Sequence, residues 1–347
     1  MNNYNMSSSS KIASLELGRI VAIITILLMH CQVAMHYAEI NGEPWLGFII
    51  NQISRFAVPL FFIIAGYFIA DKLQRAPLAT LKAYARPLVR IWLIWSLISL
   101  LMPFNFGEAF QQGYLHERLP YWDTLLAQPL NSLFEGGLVH LWFIPGLVCA
   151  LAILAACLHF GLDKAILPLA LTLYIYGVLA GSYQQVSGLE APIFTRNGPF
   201  FSTLLVASGY LIRQRQIQLA FAPALLLALL GMAGHFGEAA LLKSYYQVPF
   251  PDHDFVFSTV VWGIGVFLML MARPNWGQHP QLIDTAQMVL PFYILHLLVA
   301  IVMFNIAESL QLSGLSKDLM IVLGTLVLSV MLIKGIQQTR LNHILFR

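Results

Sequence analysis

The sequence predicts an all-α fold, a polytopic bundle of about ten membrane-spanning helices with both termini on one side. Three observations carry this prediction. Charged residues are only 10% of the chain and hydrophobic ones 59%, whereas a soluble domain has about a quarter of its residues charged. Apolar runs of about 20 residues recur from end to end, each long enough to cross a hydrocarbon core of about 30 Å. The runs are continuous rather than alternating, which excludes barrel strands and leaves helices to satisfy the backbone inside lipid.

Taken in order, residues 1–14, with the serines Ser7 to Ser10, read as a short disordered cytoplasmic tail. The first apolar run is too long for a signal-peptide core and lacks a small-residue cleavage site, so it is expected to be retained. The spans are expected at 15–36, 46–70, 84–103, 138–160, 165–181, 198–213, 218–237, 255–272, 289–308 and 318–336. The fifth and sixth are short and interrupted by glycine. Residues 15–337 form the transmembrane domain, and 338–347 are expected to be a cytoplasmic tail. The three cysteines, Cys31, Cys149 and Cys157, lie in apolar runs without metal-type spacing, so neither a disulfide framework nor a metal site is expected.

Charge orients the bundle. With the N-terminus in the cytoplasm and strict alternation, fourteen of the nineteen basic residues fall on the cytoplasmic side. Only Arg55, Arg118, Arg196, Lys243 and Lys317 remain outside, as the retention of basic residues during insertion predicts. Lys11 and Arg347 belong to the cytoplasmic set. The long connection is 104–137, on the outer side. Its Gln111, Gln112, Tyr114, His116, Glu117, Tyr121, Trp122 and Asp123 suit a polyhydroxylated partner, or equally an interfacial aromatic belt. A short echo links Phe62-Ile63-Ile64-Ala65-Gly66-Tyr67-Phe68-Ile69 to Leu205-Val206-Ala207-Ser208-Gly209-Tyr210-Leu211-Ile212. An internal repeat or small-residue helix packing would each produce it.

Ionisable side chains inside a span cost about 3 kcal/mol or more, so they are functional candidates. In the first span, Arg19 and His30 are eleven positions apart. That is three helical turns plus about 20°, so they share a face roughly 16 Å long. Singly, Arg19 reads as a snorkelling anchor and His30 as a packing histidine. Together, Arg19 near the cytoplasmic boundary and His30 past the midplane link the two compartments. Arg86 and Arg90 share a face at i,i+4 where the third span leaves the cytoplasm, and such a pair of forks suits phosphate. Ordinary positive-inside charge is the alternative. Arg55, His140 with Trp142, and the touching i,i+3 pair Tyr293 and His296 complete the intramembrane polar set.

These residues carry a resemblance. Leu15-Glu16-Leu17-Gly18-Arg19 followed by His30 resembles the first-helix motif of the membrane acyltransferase-3 family. Arg55 through Pro59 to Gly66-Tyr67 is similar to its second-helix signature, His140-Leu141-Trp142-Phe143-Ile144-Pro145 to its mid-chain motif, and Pro291-Phe292-Tyr293-Ile294-Leu295-His296 to its late segment. The pieces occur in family order. The compact layout resembles that of members that O-acetylate enterobacterial common antigen and related exopolysaccharides.

The resemblance implies an O-acetyltransferase of the bacterial inner membrane. It would use acetyl-CoA or another acyl-CoA as co-substrate, with no permanently bound cofactor. The acceptor would be a hydroxyl of an envelope glycan or its lipid-linked precursor. It assigns His30 and Arg19 to catalysis and Arg86 and Arg90 to the CoA phosphates. The family's arginine pair is separated by two residues and this one by three, with Pro87 between. Arg55, His140, Trp142, Tyr293 and His296 are candidates for substrate contact. Membrane lipid is an expected partner and nucleic acid is not. A secondary transporter or flippase using Arg19 and His30 as a relay is the alternative from another class, and a non-catalytic envelope scaffold a third.

Overall fold

The computed structural model describes residues 12–346. Most of the expected N-terminal tail, with Lys11, and the terminal Arg347 lie outside the described residues. Within them the chain is helical, and its only β-type pairing is an isolated bridge between Ile40 and Glu43.

One helix lies at each expected span. They are α1 (Ala13–His30), α2 (Trp45–Arg75), α3 (Pro77–Leu101), α4 (Val139–His159), α5 (Ile166–Leu179), α6 (Pro199–Gln214), α7 (Phe221–Tyr246), α8 (Phe257–Met271), α9 (Val289–Ser309) and α10 (Gly314–Gln337). Seven of the described helices are long and apolar enough to cross a membrane, and the chain is a polytopic membrane protein. The others, α5, α6 and α8, have 14, 16 and 15 residues. Prolines open α3 and α6, at the position where a missing N–H leaves no hydrogen bond unmade.

The short helices are held by glycine. A methyl on Gly66 of α2 would overlap the Val206 carbonyl of α6, and one on Gly209 of α6 would overlap the Ile63 carbonyl of α2. Gly231 of α7 and Gly265 of α8 face each other's backbones in the same reciprocal way, across Trp262 and Ala228. Close backbone approach is how helices associate where lipid supplies no hydrophobic drive. The echo between residues 65–67 and 208–210 therefore marks two helices that pack glycine to backbone.

Residues that alternation assigns to one side meet in space. At one end Arg213 pairs with Asp71 at 2.7 Å, Gln74 donates to Asp163 at 3.3 Å, and Ser14 N–H reaches the Pro274 carbonyl at 3.1 Å. At the other end Arg55 and Arg196 converge on Asp254, and Lys243 pairs with Glu43.

Three segments differ from expectation. The first helix stops at His30, not residue 36. The chain turns there through left-handed Gln32 (φ 53°) and Ala34 (φ 58°), and the buried Asp318 carboxylate accepts the Ala34 N–H at 2.7 Å and the Tyr37 hydroxyl at 2.9 Å. The 104–137 connection is not an open loop but three short helices, Phe106–Gln112, Tyr114–Ala127 and Pro129–Glu135. Its aromatic polar ends face inward: Trp122 donates to the Leu100 carbonyl at 3.0 Å and Tyr121 to that of Gly137 at 3.1 Å. Arg118 is fully buried between the rings of Phe104 and Tyr121. The segment after α10, expected as a tail, folds back on α3. There Trp95 donates to the Leu345 carbonyl at 2.8 Å, and Phe346 stacks on Trp95 with ring centroids 6.0 Å apart.

Candidate active site in a cavity along the bundle

Helices α1, α2, α3, α4 and α9 surround one cavity of about 1000 Å³. Its lining on α2 runs from Asn51 to Phe68, a rise of about 25 Å. One end is bordered by Arg19, Tyr84, Pro87 and Phe346, and the other by Arg55, Arg196, Asp252 and Asp254. Between them the wall is mostly apolar, with Val58, Phe61, Ile64, Leu88 and Leu147 among its residues.

Arg19 and His30 both line this cavity, as a shared helix face requires. Arg19 is tethered by Glu16, one turn back on the same helix, at 2.8 Å. That leaves the rest of its guanidinium for the cavity. His30 is the last helical residue of α1 and is half-buried. Its ring lies 5.3 Å from that of His296, and His296 lies 5.4 Å from His140, centroid to centroid.

The proton positions on the two buried partners follow from their hydrogen bonds. His140 donates from Nε2 to the Ile294 carbonyl at 3.0 Å, so its lone pair is on Nδ1, which has no partner among the described residues. His296 donates from Nδ1 to the Tyr293 carbonyl at 2.7 Å, so its lone pair is on Nε2, also without a partner. The Tyr293 hydroxyl donates to the His140 carbonyl at 2.5 Å and so ties α9 to the start of α4. The cluster thus presents three imidazoles, two of which, His30 and His140, line the cavity. Proton transfer and acyl transfer both need such a group.

Arg55 owes its position to a proline. Pro59 has no N–H and its ring displaces the carbonyl four residues back, which is that of Arg55. The helix tightens to a 3₁₀ turn at Ser54–Phe56 and turns Arg55 to the cavity rim. There Arg55 and Arg196 each hold one Asp254 oxygen at 2.8 Å, and Arg196 also reaches Glu135 at 2.7 Å. Burial alone would raise the Asp254 carboxyl, but the Arg196 and Arg55 charges outweigh it and hold it below the usual carboxylate range. Neighbouring His253 is fully buried, and burial together with the Arg55 charge pushes its imidazole down to about 4.

Of the residues singled out from sequence, Arg19, His30, Arg55, His140, Trp142 and Tyr293 line the cavity, and His296 packs behind His30. Arg86 and Arg90 do not line it. Both are exposed on α3 beside the lining residues Tyr84 and Pro87, and Arg90 donates to the His343 carbonyl at 3.1 Å. Sequence reasoning missed Arg196, Asp252, Asp254 and Asn51. The available signal was that Arg55 and Arg196 are two of the few basic residues on the side that should be poor in them.

The sequence matches the profile of the family described as Acyltransferase domain over residues 12–334. It is similar to a serine/alanine racemase of Enterococcus gallinarum, 27% identical over 301 residues, which cover 80% of this chain and 39% of that protein. It is also similar to an amino-acid racemase of Enterococcus faecalis, 23% identical over 347 residues, covering 94% of this chain and 47% of that one. The chain therefore spans less than half the length of these curated relatives. No solved structure matches it.

Proposed function

The chain belongs to the acyltransferase-3 family, and from that premise we propose that it is an O-acyltransferase of the bacterial inner membrane. It moves an acetyl group from cytoplasmic acetyl-CoA to a hydroxyl of an envelope glycan or its lipid-linked precursor. The observation that carries this reading is the cavity itself. It runs along most of the bundle, with Arg19 at one end, an apolar middle and His30 on its wall toward the Arg55 end.

In this reading the Arg19 end faces the cytoplasm, in keeping with the charge bias. The CoA phosphates stay at that mouth, where Arg19 is tethered and Arg86 and Arg90 are exposed nearby. The pantetheine arm follows the apolar wall and brings its thioester toward His30. The acceptor enters from the Arg55 end. Its hydroxyl oxygen attacks the thioester carbonyl, the C–S bond breaks, the hydroxyl proton passes to the His30 imidazole, and the CoA thiolate leaves and takes up a proton. General-base help of this kind contributes about a hundred-fold or more. Alternatively His30 accepts the acyl group itself and passes it to the hydroxyl. Rapid-quench mass spectrometry without acceptor separates the routes, because only the second leaves acyl-His30.

The test of the function is comparative glycan mass spectrometry of cells with and without the gene, seeking an alkali-labile acyl mass step. His30→Ala should abolish that step while the protein still inserts. A cavity reaching toward both ends also fits a transporter or flippase. Flux across vesicles lacking acyl-CoA would favour that reading over ours. The racemase activity named for the relatives belongs to proteins more than twice as long as the matched part, and nothing of it is carried over.

A further inference from the structure

The Arg55 end of the cavity has a donor and acceptor inventory that can be counted. Arg55 gives one terminal nitrogen to Asp254 and the other to the Asn51 side-chain oxygen (3.1 Å) and the Pro251 carbonyl (3.0 Å). Arg196 gives its two terminal nitrogens to Asp254 and Glu135. The remaining Nε of each is buried without a partner. Every terminal nitrogen of the two guanidiniums thus already holds a protein oxygen, and an anionic ligand would have to compete with the Asp254 and Glu135 carboxylates for them. Three carboxylates, those of Asp252, Asp254 and Glu135, stand against two guanidiniums, so the rim is net negative.

What is left over lines the cavity. Asp252 is exposed, lies within reach of the Asp254 and Arg55 charges, and has no ion-pair partner among the described residues. The Asn51 side-chain oxygen is taken by Arg55 and Gln52, which leaves its amide N–H groups free. One carboxylate acceptor and one amide donor are a hydroxyl-recognising set. The same cavity supplies aromatic surfaces in Trp142 and Tyr293 beside His140, and such rings pack against the apolar faces of sugars.

We propose that this end of the cavity is the binding site for a neutral, polyhydroxylated sugar ring, held by Asp252 and Asn51, and that it rejects sugars bearing a carboxylate or phosphate on the bound ring. The inference rests on the acyl-transfer reading for its link to chemistry. It also moves the sugar contact away from the 104–137 connection, whose aromatic polar ends are consumed by backbone carbonyls.

The test uses the full chain in proteoliposomes with radiolabelled acetyl-CoA. The acceptors are the host's released envelope oligosaccharides, split by anion exchange into neutral and anionic pools. The wild type should label the neutral pool at least tenfold more than the anionic one. Asp252→Lys, at an exposed position that tolerates the change, should shift that ratio toward the anionic pool at least tenfold, and Asp252→Asn less far. A parallel measurement, thermal stabilisation of the purified chain by each pool, reports binding without chemistry. Selective stabilisation by the neutral pool with no label transferred would sink the acyl-transfer reading and leave the site. Equal response to both pools in both measurements, or an Asp252→Lys ratio that does not move, would overturn the site.

Discussion

Gly66→Ala is the perturbation that most directly probes how the cavity wall is built. A Cβ at Gly66 would lie 2.9 Å from the Val206 carbonyl carbon and 3.0 Å from its Cα, and would overlap the oxygen. The overlapping oxygen sets the separation, so α2 and α6 would have to move apart by about 1 Å, which forfeits about half of each contact across the crossing. Overpacking of this kind typically costs about 1–3 kcal/mol. Helix propensity works the other way and favours alanine by about 1 kcal/mol. The net expectation is destabilisation of up to about 2 kcal/mol, with reduced activity because α2 also carries Arg55, Val58 and Phe61 on the cavity wall. Gly237 and Gly335 lie in helices with nothing within 4 Å of a built Cβ. Alanine there should be neutral or stabilising, so they serve as controls. The assay is the unfolding midpoint in detergent for each single variant and for Gly66→Ala with Gly209→Ala. Because one separation relieves both contacts, the double variant should cost less than the sum. A stabilised Gly66→Ala, or an additive pair, would refute the packing assignment.

Other expectations concern the Arg55 end of the cavity. Asp318→Ala removes the acceptor that holds left-handed Ala34 and Tyr37 just past His30; it should cost about 1–3 kcal/mol and raise KM for the acceptor, while Asp318→Asn, which keeps an oxygen there, should retain most of both. Arg196→Ala leaves Glu135 and Asp254 short of a cation and should lower the unfolding midpoint. Arg196→Lys should not restore it, since an ammonium cannot reproduce the fork that spans the two carboxylates. For His253 the folded value near 4 lies below the unfolded value near 6.5. Its contribution, about 3 kcal/mol at most, is complete above pH 6.5 and lost as pH falls from 6.5 toward 4. The wild-type midpoint should therefore fall over that window, and His253→Gln should flatten the decline.

The ten helices were legible because each span has to carry its own apolar length, and Arg19 and His30 because helical spacing alone puts them on one face. What was not legible depended on pairing across the chain. Asp254 acquires meaning only when α2 and the connection between α5 and α6 bring Arg55 and Arg196 to it, about 200 and 60 residues away in sequence. Likewise the end of α1 at His30 is set by Asp318 in the first turns of α10, which no local pattern around residue 30 encodes. The 104–137 segment misled because its composition is that of a solvated recognition loop. Only its hydrogen bonds reveal that the aromatic polar ends are turned inward.

The basic residues that broke the charge bias bear on how the cavity works. Each of the five has a local reason to be where it is. Arg55 and Arg196 share Asp254, Arg118 lies between two aromatic rings, Lys243 sits on Glu43 and 4.4 Å above the Trp45 ring, and Lys317 lies 5.9 Å from the Phe304 ring centroid. Charge at that end is thus held in internal pairs and aromatic contacts. At the other end Arg86 is exposed, and among the described residues there only Arg19 and Arg213 are paired with a carboxylate. A ligand carrying several phosphates finds Arg86 and Arg90 free of carboxylates at one mouth and carboxylate-paired arginines at the other. If His30 transfers acyl groups, this asymmetry alone would keep CoA on the Arg19 side and leave the Asp254 side to an uncharged hydroxyl. Direction would then follow from how the arginines are paired, without any moving gate.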